Sequence, residues 1–265
     1  MKNQNFVTIG SFGDTLYSLN AVKILGGGNM YVKLGGMDEQ VRRLFGREPE
    51  GFHKGRYSQN DYELLAPLLK AQDYLLDVDV WTGQENHFES LGDHWKFHLP
   101  RGWQGNQTEC YALTQGLDIH DPVLSKKLLL EPWLTPVEPV KIKDKPIVIN
   151  RTPRYLYGCD GAQWTTWAGQ GLEDYAVFIG TEQEHSDFQK QFNIKVEYKP
   201  VNDLLEMAQI IQGCEQFMGN QSVALSIAIG LGKTFWCETR KDFHLTKTPH
   251  GWGDVWFPRI NGHYF

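Results

Sequence analysis

The chain has 265 residues, of which 41% are hydrophobic and 22% charged. That is the balance of an ordinary globular protein with a normal core, large enough for one large or two small domains. Thirty-two acidic against 26 basic side chains give a net charge of −6, which does not suggest a chain dedicated to nucleic acid or an anionic membrane but leaves room for a local basic cleft.

Taken in order, the apolar and polar patterning predicts a strand over 6–10, a helix over 15–25 and a strand over 30–34. Helices over 38–45 and 59–72 and a strand over 74–80 follow. Residues 81–107 hold many Gly, His, Trp and Asn and read as long loops or irregular strands, before a helix over 108–115. The stretch Leu134-Thr-Pro-Val-Glu-Pro-Val-Lys-Ile-Lys-Asp-Lys-Pro146 is rich in proline and charge and reads as an extended linker. Beyond it come strands over 146–150, 175–180, 194–198, 216–218 and 234–238, with helices over 182–192, 201–212 and 222–230. Strands alternating with helices imply parallel β-α-β units and sheets covered on both faces. The expected organisation is a first α/β domain over 1–135, a linker over 136–146 and a second α/β domain over 147–265, facing each other across a cleft. The tail over 239–265 is expected to pack back on the first domain.

Cys110, Cys159, Cys214 and Cys237 are widely spaced and form no C-x-x-C pair, so neither a zinc site nor a disulfide framework is indicated. Cys214 and Cys237 lie in apolar stretches and read as reduced core residues. No long apolar run follows the N-terminal lysine, and no segment reaches the roughly 18 apolar residues of a membrane span. The expectation is a cytoplasmic protein without signal peptide or transmembrane segment. Nine tryptophans serve either as core and loop anchors or as sugar-stacking faces.

Open parallel sheets bind ligands beyond the carboxyl ends of their strands, so chemistry is sought in the turns that follow them. In Gly10-Ser11-Phe12-Gly13-Asp14 the glycines permit a sharp turn and close approach of a ligand. Asp14 reads either as an N-cap of the following helix or as a catalytic carboxylate. In Asn150-Arg151-Thr152-Pro153-Arg154, two arginines flank a threonine at a strand end, which suits a diphosphate or a solvated basic loop. Gly180-Thr181-Glu182 opens a helix, with Thr181 and Glu184 spaced as a capping box and ligand contact as the other reading. Gly219-Asn220-Gln221-Ser222 starts a helix of small residues, whose N-terminus both caps and attracts phosphate.

Together these stretches resemble a GT-B glycosyltransferase, and most nearly the ADP-heptose:lipopolysaccharide heptosyltransferase family. The segment I-G-S-F-G-D-T-L-Y-S-L-N-A-V-K resembles that family's first strand, glycine turn, aspartate and long helix. The segment G-N-Q-S-V-A-L-S-I-A-I-G-L-G-K resembles its donor-site helix, with Gln221 in place of the family's aspartate, Ser226 in place of its histidine and no proline after Lys233. More distantly, the fucosyltransferase-like GT-B enzymes share a comparable helix start. The resemblance implies two Rossmann-like domains, a nucleotide-sugar donor on the second, an acceptor over the first, and inverting sugar transfer with neither metal nor cofactor. Carried onto this chain, Asp14 is the general base, with Ser11, Phe12 and Gly13 forming the acceptor-side turn. Donor contacts fall to Arg151, Thr152, Arg154, Gly180, Thr181, Asn220, Gln221 and Ser222, with Glu238 at the ribose hydroxyls. The implied partners are a nucleoside-diphosphate sugar and a glycan or other hydroxyl acceptor. Two other readings stay open. A sugar-nucleotide epimerase of the same architecture would turn to His185 and Glu182, and a degenerate GT-B fold would bind without turnover.

Overall fold

A strand that is followed by a helix and then by a second strand in the same direction must cross over, and this chain does so repeatedly. The computed structural model describes residues 4–8, 10–35, 57–83, 89–90, 107–153, 161–238 and 262–264. The helix expected over 38–45, Arg154, Cys159, most of 84–106 and most of the tail lie outside the described residues. The chain divides into two compact units, with a boundary between Thr135 and Pro136.

In the first unit the elements are β1 (Asn5–Thr8), α1 (Phe12–Ile24), β2 (Gly28–Val32), α2 (Gln59–Lys70), β3 (Leu75–Val80), β4 (Glu89–Ser90), α3 (Gln107–Thr114) and α4 (Pro122–Leu130). The four strands form a parallel sheet in the order β3-β2-β1-β4. Phe6 is in register with Met30 and Thr8 with Val32, so the apolar side chains of β1 and β2 fall in the same rows. Phe6, Met30, Val32, Leu16 and Leu19 are fully buried. Trp133 ties the end of this unit to α1, its indole N–H donating to the Leu16 carbonyl at 2.7 Å. The sequence reading omitted α4, although its signal is plain: Asp121 caps the helix by accepting from Val123 and Leu124 N–H, with proline in the first turn.

The second unit contains β5 (Ile147–Asn150), α5 (Ala162–Ala168), α6 (Leu172–Tyr175), β6 (Ala176–Ile179), α7 (Glu182–Phe192), β7 (Glu197–Lys199), α8 (Leu204–Gly213), β8 (Gln216–Gly219), α9 (Val223–Gly230), β9 (Phe235–Cys237) and β10 (Gly262–Tyr264). Its six strands are parallel, in the order β10-β9-β8-β5-β6-β7. Ile149, Phe178 and Met218 share one core cluster with Trp164, Phe188 and Phe192 of the covering helices. The helix α9 is buried along nearly its whole length, as its run of small and aliphatic residues requires.

The proline-rich stretch over 136–146 forms no helix or strand, and it lies against the second unit. Val140 N–H donates to the Gln209 carbonyl at 2.9 Å, and Lys145 Nζ donates to the Glu173 carbonyl at 2.9 Å. The described part of the tail, β10, pairs with β9. Among the described residues no helix is long and apolar enough to cross a membrane.

Candidate active site

Strand order marks one position in each sheet. β1 lies between β2 and β4, and β5 lies between β6 and β8, so the chain leaves each of these strands where the order reverses. Loops at such a switch point diverge and leave room for a ligand.

In the first unit the turn after β1 carries Asp14. The helix α1 begins at Phe12, three residues before its expected start, because Ser11 and not Asp14 is the N-cap. Asp14 occupies the third helical position and reaches back: Oδ2 accepts from Ser11 N at 2.9 Å and from Ser11 Oγ at 2.8 Å. The reciprocal bond from Asp14 N to Ser11 Oγ is longer, 3.4 Å, and completes a capping box. The other oxygen, Oδ1, accepts a hydrogen bond from Gln107 Nε2 on α3. Asp14 is half-buried. Beneath it runs a short file of buried hydroxyls, Tyr57 to Thr15 to Thr8, each step 2.6 Å. Burial drives the Tyr57 phenol far above its ordinary range; the Thr15 hydrogen bond opposes this and the Asp14 charge adds to it. Phe12 packs its ring against Tyr57, with centroids 5.6 Å apart. Gln107, Tyr57, Thr15 and Thr8 were not singled out from the sequence. Gln107 comes from 93 residues away, a separation no local pattern reveals.

In the second unit, the site residues gather at the carboxyl ends of β5, β6, β8 and β9. Asn220, fully buried, clamps the loop after β5: its Oδ1 accepts from Thr152 N at 2.9 Å and its Nδ2 donates to the Thr152 carbonyl at 3.0 Å. Ser222 is the N-cap of α9 and accepts from Leu225 N at 3.3 Å, with the half-buried Gln221 just before it. Thr181 caps α7, and Glu184 closes the expected box by accepting from Thr181 N at 2.9 Å. Gly180 has φ +135°, and a Cβ there would lie 2.7 Å from Asn150 Nδ2. Asn150 itself donates from Nδ2 to the Ile179 carbonyl at 2.9 Å, while its buried Oδ1 has no hydrogen-bond partner among the described residues.

Two residues expected to meet the donor separately are bound to each other. Arg151 is buried rather than solvated, and its Nε and Nη2 meet Glu238 Oε2 and Oε1 at 2.6 and 3.2 Å. Gln191 accepts from Arg151 Nη1 at 2.8 Å, and the guanidinium sits 4.7 Å from the centre of the Phe192 ring. Trp164 Nε1 donates to Glu238 Oε2 at 3.1 Å. Trp164 and Trp167, one turn apart on α5, pack edge to face with centroids at 5.4 Å, in the core cluster. His185 stacks on Tyr198 at 4.9 Å with its Nε2 at 2.9 Å from the Val196 carbonyl, and Glu182 is exposed. Among the described residues no group of three or more His, Cys, Asp or Glu side chains is placed to hold a metal ion.

The two parallel sheets, with polar turns at both switch points, have a glycosyltransferase-like fold of the GT-B type. The chain is similar to TibC, the iron-containing dodecameric glycosyltransferase of enterotoxigenic E. coli H10407, at 12% identity and a TM-score of 0.50, over 89% of this chain and 58% of that one. It is also similar to a glycosyl transferase family 9 protein of Veillonella parvula DSM 2008, at 10% identity and a TM-score of 0.49, over 99% and 85% of the two chains. E. coli heptosyltransferase WaaC with ADP matches at 12% identity and a TM-score of 0.49, over 98% and 92%. At such identities the likeness is one of fold. No protein-family model and no curated protein matches the chain.

Proposed function

We propose that this chain is a glycosyltransferase that moves a sugar from a nucleoside-diphosphate sugar to an acceptor hydroxyl, by inversion and without a metal ion. The observation that carries the reading is Asp14: a half-buried carboxylate held from two sides at the switch point of a parallel sheet, within a glycosyltransferase-like fold. As base, Asp14 takes the proton of the acceptor hydroxyl while that oxygen attacks the anomeric carbon. The sugar–phosphate bond breaks on the opposite face, and the diphosphate leaves with the electron pair.

The donor is assigned to the second unit. The loop clamped by Asn220, the turn at Gly180 and Thr181, and the N-terminus at Ser222 supply backbone N–H groups and helix dipoles to the leaving diphosphate. The unpartnered Asn150 Oδ1 is an acceptor suited to a hydroxyl or amine of the donor. Arg151 and Glu238 support this loop from beneath by holding one another.

A thermal-shift panel of ADP, GDP, UDP, CDP and CMP, each with and without magnesium, tests the reading. A native-state ligand at a hundredfold excess over its Kd adds about 2.7 kcal/mol. One nucleoside diphosphate that raises the Tm equally with and without magnesium supports the donor assignment. Absence of any shift across the panel refutes it.

A further inference from the structure

The carboxylate of Asp14 offers about four acceptor positions, two on each oxygen. Ser11 fills both positions on Oδ2, through its backbone N–H and its hydroxyl. Gln107 fills one on Oδ1. The position that remains is therefore on Oδ1, on the oxygen that Gln107 holds. Gln107 is 6% exposed and opens α3, one turn before the buried Tyr111. The amide is thus buried where it meets Asp14. A surface carboxylate that serves only as a helix cap needs no such second support.

We propose that Gln107 is a positioning residue that aims Oδ1 of Asp14 at the acceptor hydroxyl. Resting on the reading of Asp14 as the base, the assignment separates two jobs within one carboxylate. Oδ2 closes the capping box, and Oδ1 receives the proton. Gln107 contacts neither sugar nor diphosphate, so its loss slows the transfer without weakening donor binding.

The test uses the full chain and the variants Gln107→Leu and Gln107→Glu, with circular dichroism as the check on folding. Turnover is read as ADP release from ADP-heptose, with and without deacylated lipopolysaccharide as acceptor. In Gln107→Leu, kcat falls roughly ten- to hundredfold, the cost of a misplaced catalytic group, while the KM for ADP-heptose stays within about twofold. In Gln107→Glu a side chain that keeps its proton beside the Asp14 carboxylate still donates to Oδ1, so activity is best kept at low pH and falls as the pH rises and both carboxylates ionise. A loss in Gln107→Glu that is the same at every pH, or a loss in Gln107→Leu that falls on KM as much as on kcat, overturns the proposal. A second readout needs no turnover. The side-chain amide protons of Gln107, assigned by their absence from the spectrum of Gln107→Leu, shift when Asp14→Asn removes the charge they face. If they do not shift, the proposal fails. If they shift while the unaltered protein releases no ADP, the aiming of Asp14 stands and its use as the base for this donor fails.

Discussion

Arg151 and Glu238, 87 residues apart in the chain, form a two-pronged pair in which Nε meets Oε2 at 2.6 Å and Nη2 meets Oε1 at 3.2 Å, both side chains almost wholly buried. The pair joins the end of β5 to the end of β9, and Trp164 and Gln191 bind its outer edges. Removing one partner strands a buried charge, which costs about 3–5 kcal/mol. Glu238→Ala is therefore expected to lower the unfolding free energy by that much in a urea titration. The double variant Arg151→Met with Glu238→Leu recovers most of it, since two apolar side chains of similar volume leave no charge unpaired. If Glu238→Ala costs less than 1 kcal/mol, the pair is not the clamp described.

Asp14→Asn separates chemistry from capping. The asparagine still offers an oxygen to Ser11, so the helix start is kept and the stability loss stays below about 1 kcal/mol. A positioned base contributes about 10²–10⁴-fold in rate. Turnover of the nucleotide sugar is expected to fall by that factor, while the donor's Kd, measured by calorimetry, is unchanged. Equal loss of binding and turnover would assign Asp14 to structure alone.

What the sequence disclosed follows from the range over which each signal acts. The alternation of strand and helix, and the capping box from Thr181 to Glu184, are local, so they were legible. Asp14 was legible as an acid beside a glycine turn, but its cap is Ser11, because a carboxylate at the third helical position can reach back to the residue before the helix. Arg151 is legible as a basic residue at a strand end and Glu238 only through the family resemblance, yet their pairing across the sheet depends on strand order, which a linear pattern does not carry. Gln107 carries no charge and lies outside any motif, so only the packing of α3 beside α1 brings it to view. The short helices α5 and α6 were missed for a related reason. Each starts at a glycine in the left-handed region, Gly161 and Gly171, without a side-chain cap to announce it.

Gly180 sits where a side chain has no room. Its φ is +135°, and an added Cβ would lie 2.7 Å from Asn150 Nδ2 and 2.8 Å from Glu184 Oε2. Gly180→Ala must strain the backbone and push apart the capping box and the Asn150 side chain. A loss of about 1–3 kcal/mol is expected for forcing such a conformation. Gly169→Ala is the control: that glycine has an ordinary helical φ of −63°, and an added Cβ meets nothing closer than 3.5 Å. Thermal unfolding of the two variants side by side checks the difference, and equal Tm values would refute it.

Burial also governs the thiols. It pushes Cys110 up to about 12 and Cys214 up to about 11, and Cys237 is buried as well. A buried thiol held protonated does not attack disulfides. Treated with Ellman's reagent at pH 8, the native protein should leave these three unmodified, and guanidinium should release them. Fast native labelling of Cys110, located by peptide mapping, would contradict its placement in α3.

Among the described residues of the second unit, Glu206 contributes to the acid limb of stability. Glu206 is held below its ordinary value near 4.5, first by the Asn202 backbone N–H, with desolvation opposing and Lys199 adding. Its Oε2 accepts from Asn202 N at 2.8 Å, and its Oε1 from Lys199 Nζ at 3.1 Å. A carboxylate whose folded value is depressed stabilises the fold above its unfolded value and loses that contribution as the pH falls through the folded one. Stability of the unaltered protein is therefore expected to decline below pH 4.5 more steeply than that of Glu206→Gln, which has no charge to lose. The side chains are partly exposed, so the difference is small. Urea midpoints at pH 7, 5 and 3.5 measure it. Parallel curves for the two proteins would show that the Asn202 and Lys199 contacts contribute nothing to folding.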